Sequence, residues 1–318
     1  MEKHAIDYKL IVVLFYALIF KFIPDGVEAN IVGKEERQKH PTFLTAKNNL
    51  GKNSVDLLTK GSFMHEDKDE NFAGIKLRTD GKGYIGAKAY VAIHKPKVDS
   101  KSHQFSAASI IIERGDNQIE AGWIVHPDLY HDENPRFYTR WTKDNHRSTG
   151  CYNTNCPGFV IVSDEYPLGY AFPEISDPNK AVQHDVKISI EQIDLSGRWY
   201  VSLNDSLLGY WPQSLFTNFG IAEAIRWGGQ VYSQPLSNQS PQMGSGQFYG
   251  DNPYRTAYMK NVQVIFSDDT HGPPPSDLIE EVNSHCYFAA WASYSSDPSM
   301  RYHFLYGGKG EKDHVTCF

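Results

Sequence analysis

Apolar residues recur at every second position in several separated stretches of this chain, and that period constrains the fold more than any other feature. Val186, Ile188 and Ile190 alternate with polar neighbours, Trp199, Val201 and Leu203 do the same, and Val262, Val264 and Phe266 repeat the pattern. A period of two turns one face of an extended strand to a core, whereas a helix needs about 3.6. Ala87, Tyr90 and Ile93 sit among mixed neighbours and Ile110-Ile111-Ile112 is a β-branched run; both read as strands. Gly, Pro, Asn and Asp clusters separate these runs, as antiparallel connections require. There is no strand–helix alternation of the kind that builds a doubly wound parallel sheet. The expected fold is all-β, an antiparallel two-sheet β-sandwich with short helical segments, one of them over Ser214–Ile225.

With 318 residues, 40% of them hydrophobic, the chain can bury a substantial core. Its formal charge of −7 argues against nucleic acid as a partner. Its 13 histidines would turn that charge to +6 if all took up protons while the carboxylates stayed ionised. The plain reading is that most of them are surface residues.

The N-terminus bears on compartment. Lys3 and Lys9 precede an apolar run, Leu10 to Phe20, too short to span a bilayer, which takes about twenty residues. Val27-Glu28-Ala29 then places small residues where a signal peptidase reads them. Residues 1–29 are therefore expected to be a signal peptide; a short anchor or buried helix is the alternative. Residues 30–73 are polar and without period, a leader or shortened propeptide, and residues 74–318 form the folded domain. Nothing later is apolar enough to span, so no membrane contact is expected after signal removal. The protein should be secreted, to the extracellular or cell-wall space or to a vacuole.

Four cysteines suit an oxidising compartment. Their spacing favours Cys151 with Cys156, around a tight turn, and Cys286 with Cys317; a four-Cys zinc site would normally show two compact knuckles where only one occurs. Asn204-Asp205-Ser206 and Asn238-Gln239-Ser240 are glycosylation sequons, the second weakened by Pro241.

Two segments carry candidate chemistry: Gln118-Ile119-Glu120-Ala121-Gly122-Trp123 and Arg226-Trp227-Gly228-Gly229-Gln230. Glycine lets a substrate backbone come close, and tryptophan can wall a site from water. If both reach one cleft, a carboxylate faces an amide, and hydrolysis needs no metal, cofactor or nucleophilic Ser or Cys. Glu120 alone reads equally as a surface strand residue, and the paired glycines as a bulge. Gly244-Ser245-Gly246 lacks the outer glycines of a nucleophile elbow and reads as a turn. His126, His131, Asp132 and Glu133 lack zinc-site spacing, and no phosphate-binding loop or dinucleotide fingerprint occurs.

The Ile119-Glu120-Ala121-Gly122-Trp123 run is followed by Pro127, Leu129-Tyr130 and Phe137-Tyr138-Thr139, then by Thr149-Gly150-Cys151-Tyr152-Asn153. Leu208-Gly209-Tyr210-Trp211-Pro212, Trp227-Gly228-Gly229, Gln242-Met243-Gly244-Ser245-Gly246 and Tyr306-Gly307-Gly308 continue the series in order. From about Gly74 to its end the chain resembles the plant neprosin family of glutamic peptidases. The resemblance implies a secreted β-sandwich whose peptidase members use two glutamates, and the family name implies cleavage near proline. Glu120 matches the first glutamate, and the second falls at Gln230, a departure from the pattern. The family's longer propeptide carries a cysteine motif, whereas Asn30–Ala73 has no Cys.

A glutamine cannot transfer a proton at ordinary pH, but its amide can donate to a developing oxyanion. A Glu–Gln pair is the arrangement of the fungal glutamic peptidases, which this chain resembles in that pairing only. Without a second carboxylate, Glu120 should ionise at lower pH than in a two-glutamate site. The expected function is a glutamic endopeptidase acting on a peptide or protein substrate, with Trp123, Trp227 and Tyr210 binding that substrate. The alternative is a catalytically disabled relative that binds peptide or glycan in the same aromatic groove.

Overall fold

The computed structural model of the chain describes residues 70–79, 83–180, 182–234, 239–249, 255–292 and 297–310. The expected signal peptide, residues 30–69 of the leader, Asn238 and Cys317 lie outside them.

In chain order the first strands are β1 (Glu70–Arg78), β2 (Tyr84–Ala92), β3 (Phe105–Arg114), β4 (Asn117–Val125), β5 (Arg136–Thr142) and β6 (Cys151–Tyr152). Next come β7 (Val160–Ile161), β8 (Asp185–Glu191), β9 (Trp199–Leu203), β10 (Ser206–Trp211) and β11 (Ala224–Tyr232). The last are β12 (Ala257–Phe266), β13 (His271–Gly272), β14 (Ile279–Val282), β15 (Phe288–Ala292) and β16 (His303–Gly307). Among the described residues they form two antiparallel sheets. One runs β14-β1-β11-β3-β4-β5-β6; the other runs β15-β16-β12-β2-β8-β9-β10-β7, with β13 paired to β12.

The period-2 runs do what their spacing dictates. Val186, Ile188 and Ile190 of β8, Trp199, Val201 and Leu203 of β9, and Val262 and Val264 of β12 all point between the sheets. They meet Ile75 and Leu77 of β1, Ile110 and Ile112 of β3, and Ile119, Ala121 and Trp123 of β4 from the opposite side. Two of the buried indoles satisfy their N–H groups on backbone carbonyls. Trp123 Nε1 donates to the Ala92 carbonyl and Trp199 Nε1 to that of Phe219, each at 2.9 Å. In β2 the inward set is Ala87, Ala89 and Val91, and Tyr90 faces away from this core.

Two expectations are corrected. Ser214–Ile225 is not a helix: a single 3-10 turn, Gln213–Leu215, gives way to irregular chain that enters β11 at Ala224. Phe216 and Phe219 have helical spacing, but Asn218 between them takes a left-handed φ of 57°, and both rings drop into the core together, 4.9 Å apart. The first strand opens at Glu70, ahead of the Gly74 expected to begin the domain, so Glu70 to Ala73 pair with β11 and are not leader. Cys151 is joined to Cys156, Cα to Cα 6.2 Å, and Cys286 is also disulfide-bonded. Asn204 is exposed at the turn between β9 and β10.

Candidate active site

The pairing register of the seven-stranded sheet lines up three rows of residues across its outer face. The middle row reads Gly74, Gly228, Ser109, Gly122 and Tyr138. The row to one side reads Phe72, Gln230, Ala107, Ile124 and Arg136; the row to the other reads Lys76, Arg226, Ile111, Glu120 and Arg140. A middle row so poor in side chains lets neighbouring backbones close up. A Cβ on Gly122 would stand 2.1 Å from the Ala108 carbonyl oxygen, and one on Gly228 2.6 Å from that of Ala73. Only glycine fits such an approach.

The sheet bends sharply across this row. Glu70 and Arg140 lie four strands and six residues apart in register. On a flat sheet their Cα atoms would be about 28 Å apart, far beyond the reach of the two side chains. They nevertheless form an ion pair, Arg140 Nη2 to Glu70 Oε1 at 2.9 Å, so the sheet folds across that diagonal, at the glycine row, and its face is a trough. Gln230 and Glu120 occupy the same diagonal, on either side of the glycine row.

Glu120 is fully buried. Tyr138 Oη donates a hydrogen bond to its Oε1. Its Oε2 has no hydrogen-bond partner among the described residues, and Arg140 Nη1 stands 3.9 Å away. Burial pushes its proton affinity above the usual carboxyl range. Arg140 and then the Tyr138 hydrogen bond oppose that shift, while the Glu70 charge adds to it. Arg140 is itself buried and lies 5.2 Å over the Tyr152 ring; burial lowers its proton affinity, but the charges of Glu70 and Glu120 raise it further. Gln230 is 4% exposed, and its Oε1 also lacks a partner among the described residues. Two buried polar atoms with open hydrogen-bonding capacity are costly to a fold unless something else uses them.

The expected substrate-binding residues are not here. Trp123 and Trp227 are fully buried between the two sheets, because each lies three positions from its polar partner and an odd separation reverses the face. Tyr210 belongs to β10 in the other sheet, where its ring packs at a tilt against Tyr200 with Arg198 4.9 Å above it. The aromatic wall of the trough is instead Phe105, Tyr138 and Tyr232, with Tyr130 and Tyr152 packed against them. The sequence reading missed Tyr138 and Arg140 as site residues, although Tyr138, Arg140 and Thr142 alternate along β5. It missed Glu70 by assigning it to the leader.

Fold and site together define an antiparallel two-sheet sandwich with a buried carboxyl and a buried carboxamide on one face of the creased sheet. The chain belongs to the Neprosin family, whose model matches residues 102–309. Among solved structures, scytalido-glutamic peptidase with a transition-state-analogue inhibitor overlays at a TM-score of 0.43 and 9% identity, covering 76% of this chain and 98% of that one. SCP-B of the Eqolisin family, bound to a tripeptide, gives 0.39 and 8% over the same shares. The galectin LEC-6 of Caenorhabditis elegans gives 0.27 and 11%, over 54% of this chain and 96% of that one. Overlaps at these scores carry nothing about residues or chemistry.

Proposed function

We propose that the protein is a secreted glutamic-type endopeptidase in which Glu120 activates water and Gln230 polarises the scissile carbonyl. The carrying observation is the fully buried Glu120, its Oε2 without a hydrogen-bond partner among the described residues, on the same face of the creased sheet of a Neprosin-family domain as the buried Gln230. Water gives a proton to Glu120 as its oxygen bonds to the carbonyl carbon. The oxygen left negative is met by the Gln230 amide N–H. When the C–N bond breaks, Glu120 returns that proton to the leaving amine. A single carboxyl serves both steps best when it holds its proton more tightly than usual, as burial makes Glu120 do. Tyr138 keeps Oε1 engaged and leaves Oε2 for the water.

The substrate in this reading is an extended peptide, with cleavage next to proline carried over from the family. The N-terminal segment directs secretion, and the exposed Asn204 carries glycan. A proline-rich peptide assayed from about pH 2.5 to about 6 tests the assignment. Cleavage should vanish in Glu120→Ala; cleavage that survives rejects it. If the native protein is silent, Gln230→Glu should restore activity to a disabled enzyme, and silence with either residue favours the binding module.

A further inference from the structure

One guanidinium serves two carboxyls in the trough. Arg140 Nη1 stands 3.4 Å from Glu70 Oε2 and 3.9 Å from Glu120 Oε2, and its Nη2 is bonded to Glu70 at 2.9 Å. Two of the three nitrogen–oxygen approaches therefore go to Glu70. Glu70 stands on β1 and Arg140 on β5, so the crease delivers this carboxylate; its place in the chain does not. All three groups are shielded from water: Arg140 is 3% exposed, Glu70 11% and Glu120 0%.

The geometry points to Glu70 as a positioning residue that holds Arg140 short of Glu120, leaving Glu120 able to exchange a proton. In effect Glu70 returns a second carboxylate to a site whose sequence has lost one at position 230, but on the far side of an arginine. This rests on the peptidase reading for its purpose, though not for its electrostatics. Without the Glu70 charge, Arg140 is a buried cation whose remaining carboxylate is Glu120, and closing a gap of 3.9 Å to hydrogen-bond distance takes a small rotation. A directly bonded Glu120 would stay ionised and would be a weaker base.

Among the groups facing this cluster, Tyr138 and Ser109 act on Glu120 through hydrogen bonds, and Arg140 and Glu70 through charge. Tyr138 and Tyr152 are held neutral by burial, first of the causes raising each. His146, buried beside Arg140, has its proton affinity pushed down to about 2 by burial and then by that arginine, so it carries no charge. Arg226, in the same row as Glu120, is engaged by Glu113 at 3.1 Å and Glu281 at 3.3 Å.

The test is the titration of Glu120 itself, followed by NMR in protein carrying carbon-13-labelled glutamate carboxyls, with the signal assigned from Glu120→Gln. In Glu70→Gln the midpoint should move to lower pH, with an ionised-to-protonated ratio about tenfold higher at any fixed pH, as a closing cation gives. Glu70→Asp, which keeps the charge, should restore most of the shift. Peptide cleavage, measured in parallel, should move its acid limb the same way and lose kcat. An unmoved Glu120 midpoint in a folded Glu70→Gln protein overturns the proposal, whether or not the protein cleaves peptide. A moved midpoint without any peptidase activity upholds the positioning role and counts against the peptidase reading alone. Should Glu70→Gln fail to fold, Arg140→Lys replaces it. Its single ammonium cannot bridge both carboxyls, and a midpoint identical to wild type would overturn the proposal equally.

Discussion

Replacing Gly122 by alanine tests whether the crease depends on glycine. The added Cβ would sit 2.1 Å from the Ala108 carbonyl oxygen and 2.7 Å from Ser109 Cα, where ordinary contact begins near 3.4 Å. Both obstacles are backbone or nearly so, with no side chain to swing aside. Relief requires β3 and β4 to part by about 1 Å, enough to break the two or three ladder hydrogen bonds around this position at about 1 kcal/mol each. The expected loss is about 2–3 kcal/mol, in the range of other overpacked interiors. For a chain of this size that lowers Tm by about 4–12 °C. Gly220→Ala is the matched control: nothing lies within 4 Å of its Cβ position and its backbone is not left-handed, so its cost should stay within about 0.5 kcal/mol. Thermal melts of both variants at one pH decide the matter. Equal melting temperatures would refute the close-approach argument, and a destabilised Gly122→Ala that retained full peptide cleavage would separate the crease from the site.

Two further outcomes follow from the surroundings of Glu120. Tyr138→Phe removes a hydrogen bond that favours the ionised carboxyl, so Glu120 should hold its proton to higher pH. The acid limb of cleavage should shift upward with it, with about a tenfold fall in kcat/KM well below the optimum; an unchanged profile would remove Tyr138 from the site. Burial raises the folded proton affinity of Glu120 above its unfolded value, so its contribution to stability is full below the unfolded pKa, about 4.3, and is lost as pH rises through the folded one. Glu120→Gln should therefore gain in Tm relative to wild type as the pH rises above the unfolded value, and a relative loss there would contradict the burial argument.

Much of the fold was legible because burial writes its period into the chain. Val186, Ile188 and Ile190 can be placed on a core face with no structure at all, and the resemblance pointed to Glu120. Strand order was not legible: β1 pairs with β11, and β11 with β3, across more than a hundred residues, and no local signal records that. The faces of Trp123 and Trp227 could have been read, since each stands an odd number of positions from its polar partner, but chemical plausibility put them in the groove. Glu70 is the reverse case. It ends a polar stretch that looks like leader by composition, and its role exists only once the sheet has bent far enough to reach Arg140.

The crease is assembled from Gly74, Ser109, Gly122 and Gly228, contributed by four strands scattered over half the chain. No fragment containing fewer than these four can own the trough, so the reacting groups come together only once all four strands are paired. Position 230 lies beside that seam and not within it, which frees its side chain to be exchanged without disturbing the architecture underneath. A scaffold of this kind can outlive a change in its own chemistry.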